Sequence, residues 1–243
     1  MGAGVQASLP RRVVAEGLGT AFLLAAVVGS GIMGERLAAG NTAVALLANT
    51  LATGAALVAL ILTFGGVSGA HFNPAVTLAA ASQGGLAWRD VGPYLAAQVC
   101  GAFAGVAAAN VMFGLPVFFA SAKGRHGGAQ LFAEFVATFG LLSVVWGCAR
   151  SRTTAVPFAV GAYITAGYWF TSSTSFANPA VTLARTASDT FAGIRPADAP
   201  GFIAAQLAGA CAATLLFRWL VPALPEEARD VHLPHTGDGG SHG

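Results

Sequence analysis

Charge is what this chain has least of. Its 243 residues include ten Asp or Glu and twelve Lys or Arg, so 9% are charged, against roughly a quarter in ordinary soluble domains. That is too little to cover a water-exposed surface. It also excludes a disordered chain and a coiled coil. Cysteine is scarce as well. Cys100, Cys148 and Cys211 stand alone in apolar surroundings, with no CxxC, so a disulfide scaffold and a cysteine metal site are excluded. They read as small buried hydrophobes. The net charge of +2 is too small to imply nucleic acid. What is abundant is apolar: 55% hydrophobic residues, with 32 glycines. The expected class is an all-α polytopic membrane protein with no separate soluble domain.

Six stretches are apolar enough to cross a bilayer: 13–34, 43–64, 91–113, 129–149, 155–173 and 200–222. About 20 helical residues cover the ~30 Å hydrocarbon core. Each stretch carries at most one charge: Glu16 in the first, Glu134 in the fourth and Arg218 near the end of the sixth, where it can snorkel. Arg11 and Arg12 precede an apolar run too long for a cleavable signal peptide. Two further apolar pieces, after Asn73 and after Asn178, offer about ten residues each, half a bilayer of helix. Each follows a helix-breaking stretch, 65–71 and 171–175. Such backbone is tolerated at membrane depth only against protein or a wet cavity, so both pieces are expected to be re-entrant half-helices.

The halves of the chain repeat each other. AEGLGTAFLLAAVVGSG (15–31) parallels AEFVATFGLLSVVWGCA (133–149), HFNPAVTLA (71–79) parallels FANPAVTLA (176–184), and PYLAAQVCGAFAG (93–105) parallels PGFIAAQLAGACAA (200–213). Three spans per half is an odd number, so the second half must sit inverted, with repeats at about 12–113 and 129–222. Inverted repeats with broken helices place a site at the bilayer midplane. Pro74 and Pro179 suit first helical positions, and Asn73 and Asn178 suit N-caps. Inversion would bring two positive helix ends together, with two Asn amides as donors, at a spot that welcomes a neutral oxygen and repels cations.

Two copies of Asn-Pro-Ala-Val-Thr-Leu-Ala in equivalent places of such a repeat, with SGAHFNPAVTLA (68–79), the doubled Ala-Glu and the Gln-bearing third and sixth spans, make the chain resemble the aquaporin and aquaglyceroporin family. The resemblance covers about residues 12–222. It implies six tilted helices, two half-helices, a homotetramer with one pore per subunit, and passive flux of small uncharged solutes, without enzymatic activity or cofactor. The pore motifs would be Asn73, Pro74 and Ala75 with Asn178, Pro179 and Ala180. Glu16 and Glu134, ionisable groups in spans, are functional candidates by default. The resemblance favours a bracing role as buried acceptors for the re-entrant backbone, shared with Gln98 and Gln206. Gly101 and Gly105, or Gly209 and Ala213, suit close helix crossings.

The chain also departs from the family. The second motif there usually reads Asn-Pro-Ala-Arg, and that Arg lines the narrowest constriction; here the position is Val181. Counting from the motifs places Thr53, Ala166 and Ser175 at the other constriction positions, a set with no ring, imidazole or cation. The expected constriction is wider than a strict water filter. Arg185, one turn beyond Val181, reads either as a vestibule residue paired with Asp189 or as a displaced selectivity cation. An Arg-less subgroup of bacterial relatives is associated with arsenic resistance, and this sequence looks like it. That adds neutral trivalent arsenic hydroxides and methylated arsenicals to water and glycerol-like polyols as candidate permeants. The alternatives are a secondary transporter, a mainly water-selective aquaporin, or a junction protein using the tetramer surface.

His71 reads as a residue ordering its loop, and His126, after Lys123 and Arg125, as part of a solvated loop. No metal site is expected, His232, His235 and His242 included. The tail, 223–243, is polar and Gly-rich and is expected to be disordered. Basic residues favour the side of the termini (Arg11, Arg12, Arg89, Arg150, Arg152, Arg218, Arg229) over the other (Arg36, Lys123, Arg125, Arg185, Arg195). That places both termini in the cytoplasm of a bacterial inner membrane.

Overall fold

The computed structural model describes residues 7–151 and 153–220. The C-terminal tail and its three histidines lie outside these residues. The architecture is all-helical: α1 (Leu9–Leu37), α2 (Thr42–Ser68), α3 (Pro74–Ser82), α4 (Trp88–Met112), α5 (Gly128–Ser151), α6 (Val156–Phe170), α7 (Pro179–Ala184) and α8 (Ala199–Leu220), with 3₁₀ turns at Thr153–Ala155, Arg185–Ala187 and Pro196–Asp198. Five of these segments are long and apolar enough to cross a membrane. The sixth, α6, has 15 residues, or about 22 Å. The apolar stretch at 155–173 is thus not one helix. It ends at Phe170 because Thr171 turns extended and the chain becomes a re-entrant loop. At the other extreme α1 has 29 residues, about 43 Å, which a bilayer accommodates by tilt.

The molecule is apolar outside and polar at selected points inside. Phe22, Leu37, Leu51, Leu62, Trp88, Phe132, Phe158, Trp169 and Trp219 are exposed, whereas Glu16, Glu134, Gln98 and Gln206 are fully buried. That inversion suits lipid as the solvent. Cys100 and Cys211 share the exposed apolar surface, contrary to the expectation of burial, and all three cysteines are free thiols.

Helices α1 and α4 run parallel, as do α5 and α8. Their contacts advance in step: Arg12 bonds Asp90 near the start of the first pair, and Gly29 meets Phe113 near its end. In the second pair Gly201 faces Leu131 and Gly147 faces Phe217. Small residues permit these approaches. A Cβ at Gly101 or Gly105 would strike the carbonyl oxygen of Gly17 or Ala21, and one at Gly209 that of Phe135. Backbone cannot yield as a side-chain tip can, and overpacking of this kind typically costs about 1–3 kcal/mol. Gly105→Ala is therefore expected to lower the melting temperature in detergent by several degrees. Gly92→Ala on the same helix, where a Cβ meets nothing within 4 Å, should leave it unchanged. Equal melting temperatures would show that the α1–α4 crossing is looser than described.

Candidate functional site: a lumen between two half-helices

Half-helices α3 and α7 start side by side and leave toward opposite ends. The end of α3 leads to the start of α4, beside the start of α1. The end of α7 leads to residues that bond the α4–α5 connection, where Phe119 and Ser121 donate to the carbonyls of Ala187 and Thr186. Each start is N-capped. Asn73 Oδ1 accepts from the Ala75 N–H at 2.9 Å, and Asn178 Oδ1 accepts from Ala180 at 2.9 Å and Val181 at 3.2 Å. The amides are then tied across: Asn73 Nδ2 donates to Ala177 O and Asn178 Nδ2 to Phe72 O, both at 2.8 Å. Each Nδ2 has one further hydrogen to give. Both Asn side chains line a cavity of about 350 Å³ that runs from Gly65, Gly66 and Val156 at one end to Tyr168 and Arg185 at the other.

The segments entering the half-helices are strained in the same way. Ala70, Phe72, Ser175 and Ala177 all have φ between 48° and 51°, the left-handed region that residues with a Cβ seldom occupy. Such conformations persist only where the surroundings over-determine them. Two carboxylates do so here. Glu16 accepts from Ser68 Oγ (2.7 Å) and the His71 N–H (2.9 Å) on one oxygen, and from the Phe72 N–H (2.7 Å) and Gln98 Nε2 (2.8 Å) on the other. Glu134 accepts from the N–H groups of Phe176 and Ala177, each at 2.9 Å, and from Gln206 Nε2 at 2.6 Å. Gln98 and Gln206 reach on to Thr77 and Thr182 of the half-helices, both at 2.8 Å. This is the geometry of the bracing reading. It turns the N–H groups of each loop outward onto a carboxylate and leaves the opposite side of residues 69–73 and 175–178 to the lumen, which they line. His71 is buried and meets Thr77 Oγ1 at 3.0 Å, anchoring its loop to α3.

Of the four constriction positions read from the sequence, Thr53, Ser175 and Val181 line the cavity and Ala166 does not. Ala166 lies on the exposed face of α6. Two residues along a helix is a 200° turn, and the lumen face of α6 carries Val160, Ile164 and Tyr168. Ala166 therefore points away, and the expectation of a ringless constriction is corrected. Tyr168 stands there, its hydroxyl 3.2 Å from Thr53 Oγ1.

Arg185 lacks the local ion pair expected of it. It is 2% exposed, lines the cavity, lays its guanidinium 3.4 Å from the centroid of the Phe176 ring and donates from Nε to Ala192 O. Asp189 is not its partner; that carboxylate accepts from Ala122 N at 2.9 Å and Ser121 Oγ at 3.4 Å. Nor is the α4–α5 connection simply solvated. Arg125 is half-buried and donates to Gly193 O at 2.9 Å and Ser173 O at 3.1 Å, with its guanidinium 4.9 Å from the Phe176 centroid. Lys123 donates to Phe191 O at 2.6 Å. Burial, and then repulsion by Arg125 and Arg185, lower its ammonium to about 8, while burial lowers Arg125 to about 10. All three are cations at neutral pH. His126 is exposed, 3.8 Å from Asp198. Among the described residues no group of three His, Cys, Asp or Glu could hold a metal ion.

Two capped half-helices meeting in a lumen inside a bundle of membrane-crossing helices define the class, an integral multi-pass membrane protein built as a pore. The sequence pattern of the Major intrinsic protein family matches residues 5–175, and the chain belongs to that family, whose members are channels and not enzymes. It is 57% identical over 218 residues to Aquaglyceroporin AqpS of Rhizobium meliloti (strain 1021), covering 89% of this chain and 93% of that one. It is 38% identical to Aquaporin NIP1-3 of Oryza sativa subsp. japonica, over 71% of this chain and 62% of the rice protein. The fold is similar to the X-ray structure of the aquaglyceroporin from Plasmodium falciparum, with a TM-score of 0.70 and 19% identity over 89% of this chain and 99% of that one.

Proposed function

We propose that the protein is a passive channel for small uncharged solutes. Water and glycerol-like polyols are its general permeants, with neutral trivalent arsenic hydroxides and methylated arsenicals as further ones. The observation that carries this reading is a single lumen passing both Asn73 and Asn178 at the meeting point of α3 and α7. There a permeant hydroxyl exchanges water for amide donors, and positive helix ends oppose cations. The aquaglyceroporin relative supports the polyol part. Val181 supports tolerance of solutes larger than water, because a branched apolar side chain stands where the family usually has a long cation. The working form is a homotetramer in a bacterial inner membrane, both termini cytoplasmic, so that Arg185 and the α4–α5 connection face outward. Arg11, Arg12, Arg150 and Arg152, close to the ends of their spans, support that orientation.

The test is solute-driven shrinkage and reswelling of proteoliposomes. Flux of water, glycerol and arsenous acid should stay linear over a wide concentration range and ignore proton or sodium gradients. Saturation with gradient dependence would replace the channel with a secondary transporter. Asn178→Asp probes the midplane directly. A carboxylate against the α7 start would cancel the positive potential there, so neutral-solute flux is expected to fall and a cation leak to appear in current recordings. Unchanged flux and selectivity in Asn73→Asp and Asn178→Asp alike would remove these residues from the permeation path.

A further inference from the structure

We propose that Arg185, with Arg125 beside it on the same aromatic ring, is an acceptor-binding site that makes the pore prefer small oxyacids to neutral polyols of equal size. The proposal rests on the channel reading above.

The lumen lacks a cation where the family usually has one, at Val181, and has one a turn further along, where that pattern does not put it. Arg185 is 2% exposed and lines the cavity. Its Nε is bonded to Ala192 O, and neither terminal nitrogen has a protein acceptor among the described residues. Arg125 is tied by Nε to Gly193 O and by Nη1 to Ser173 O and Thr174 Oγ1. Its Nη2 likewise has no protein acceptor among the described residues. The ion pairs among those residues lie elsewhere: Arg12 and Arg89 with Asp90, His126 and Arg195 with Asp198. Two guanidiniums on one Phe ring, without a carboxylate between them, are an expensive arrangement. The π-face and the loop carbonyls offset part of that cost. Neither uses the terminal N–H donors of Arg185, which lines the cavity and leaves them to whatever occupies the lumen, while Arg125 adds its charge from beside the Phe176 ring.

The donor chemistry fixes the class of occupant. A guanidinium offers donors only, and it matches two oxygens on one centre better than a single hydroxyl. A carboxyl or another oxyacid group presents such a pair; a polyol does not. Further along the lumen lies the spare hydrogen of Asn178 Nδ2. An oxyacid entering at the Arg185 end therefore meets donors in succession, whereas an inorganic cation meets repulsion.

The experiment compares glycerol with glyceric acid, the same three-carbon skeleton with one terminal carbon oxidised, by tracer uptake into proteoliposomes at about pH 3.5, where roughly half of the acid is uncharged, alongside water flux. Wild type should pass the acid more readily than glycerol once bilayer leakage is subtracted. In Arg185→Gln the ratio of acid to glycerol permeability should fall by about ten-fold, the scale of one charge-assisted hydrogen bond. Arg125→Gln should lower it by less, and Arg185→Lys should keep part of it. Arg89→Gln, at the opposite end, should not change it. An unchanged ratio in an Arg185→Gln or Arg125→Gln protein that still passes water would overturn the proposal. If both glutamine variants lose water flux, wild-type competition decides. Slowing of tracer glycerol by added glycerate supports the site, and no slowing overturns it. Absence of water and glycerol flux in wild type itself would instead defeat the channel reading.

Discussion

Replacing Glu134 by leucine is expected to remove most folded protein from detergent extracts, although no permeant touches this side chain. Its carboxylate accepts from two backbone N–H groups in the loop before α7 and from Gln206, and it is fully buried. Each buried donor left without its partner costs about 1–3 kcal/mol. For a chain of this size each kcal/mol moves the melting temperature by about 2–4 °C, so the three together should shift it by roughly ten degrees or more. The left-handed Ser175 and Ala177 lose what holds them, so flux should fall in whatever protein survives. Glu134→Gln keeps one carbonyl acceptor and should be milder in both respects. The equivalent change at Glu16 should act alike on the loop before α3. If Glu134→Leu melts like wild type and its flux is lost nonetheless, the carboxylate serves the permeation path and the bracing role is wrong.

The hydrogen bonding of that pair was partly legible in the sequence. A lone carboxylate in a 20-residue apolar stretch has few affordable fates, and a helix-breaking segment full of unpaired N–H groups needs an acceptor. An acceptor role for Glu16 and Glu134 was therefore open from the residues, and the family resemblance favoured it; the two Asn-Pro starts pointed to each other through the inverted repeat. The lumen walls were less legible. Ala166 was placed by counting back from Asn178, which assumes a fixed length for the loop between. Where α6 ends decides which face of it sees the lumen, and a two-residue slip turns a side chain to the opposite side. The usable signal was the i, i+4 pair Ile164 and Tyr168, with Tyr168 the residue able to reach Thr53. Arg125 escaped for a different reason. A basic residue in a polar connection ordinarily stays in water, and only the long-range packing of that connection on residues 173–176 and 191–193 draws it in. Arg185 misled in the opposite direction, because Asp189 four residues on suggested a local ion pair while the chain turned at Ser188 and gave that carboxylate to the α4–α5 connection.

Val181→Arg should produce the largest change in selectivity. Val181 is 5% exposed, follows the Asn178 cap by three residues and lines the cavity with Thr53, Tyr168 and Ser175. A guanidinium on a long stem there crosses a lumen that valine leaves open. At a helix centre in lipid such a charge costs about 2.5–3.5 kcal/mol; a wet lumen with hydroxyls at hand lowers that figure. It would also stand one turn from Arg185, and repulsion between the two would push the new side chain across the lumen toward Thr53 rather than along the wall. Flux of glycerol-sized and arsenic-containing solutes is therefore expected to drop several-fold while water flux survives. Val181→Ala should keep or enlarge large-solute flux. The same liposomes checked with Arg185→Ala separate the two positions: size exclusion should follow residue 181, and discrimination between acid and polyol should follow residue 185. Val181→Arg that leaves glycerol flux untouched, together with Arg185→Ala that abolishes size discrimination, would place the narrowest point at Arg185 and remove Val181 from the constriction.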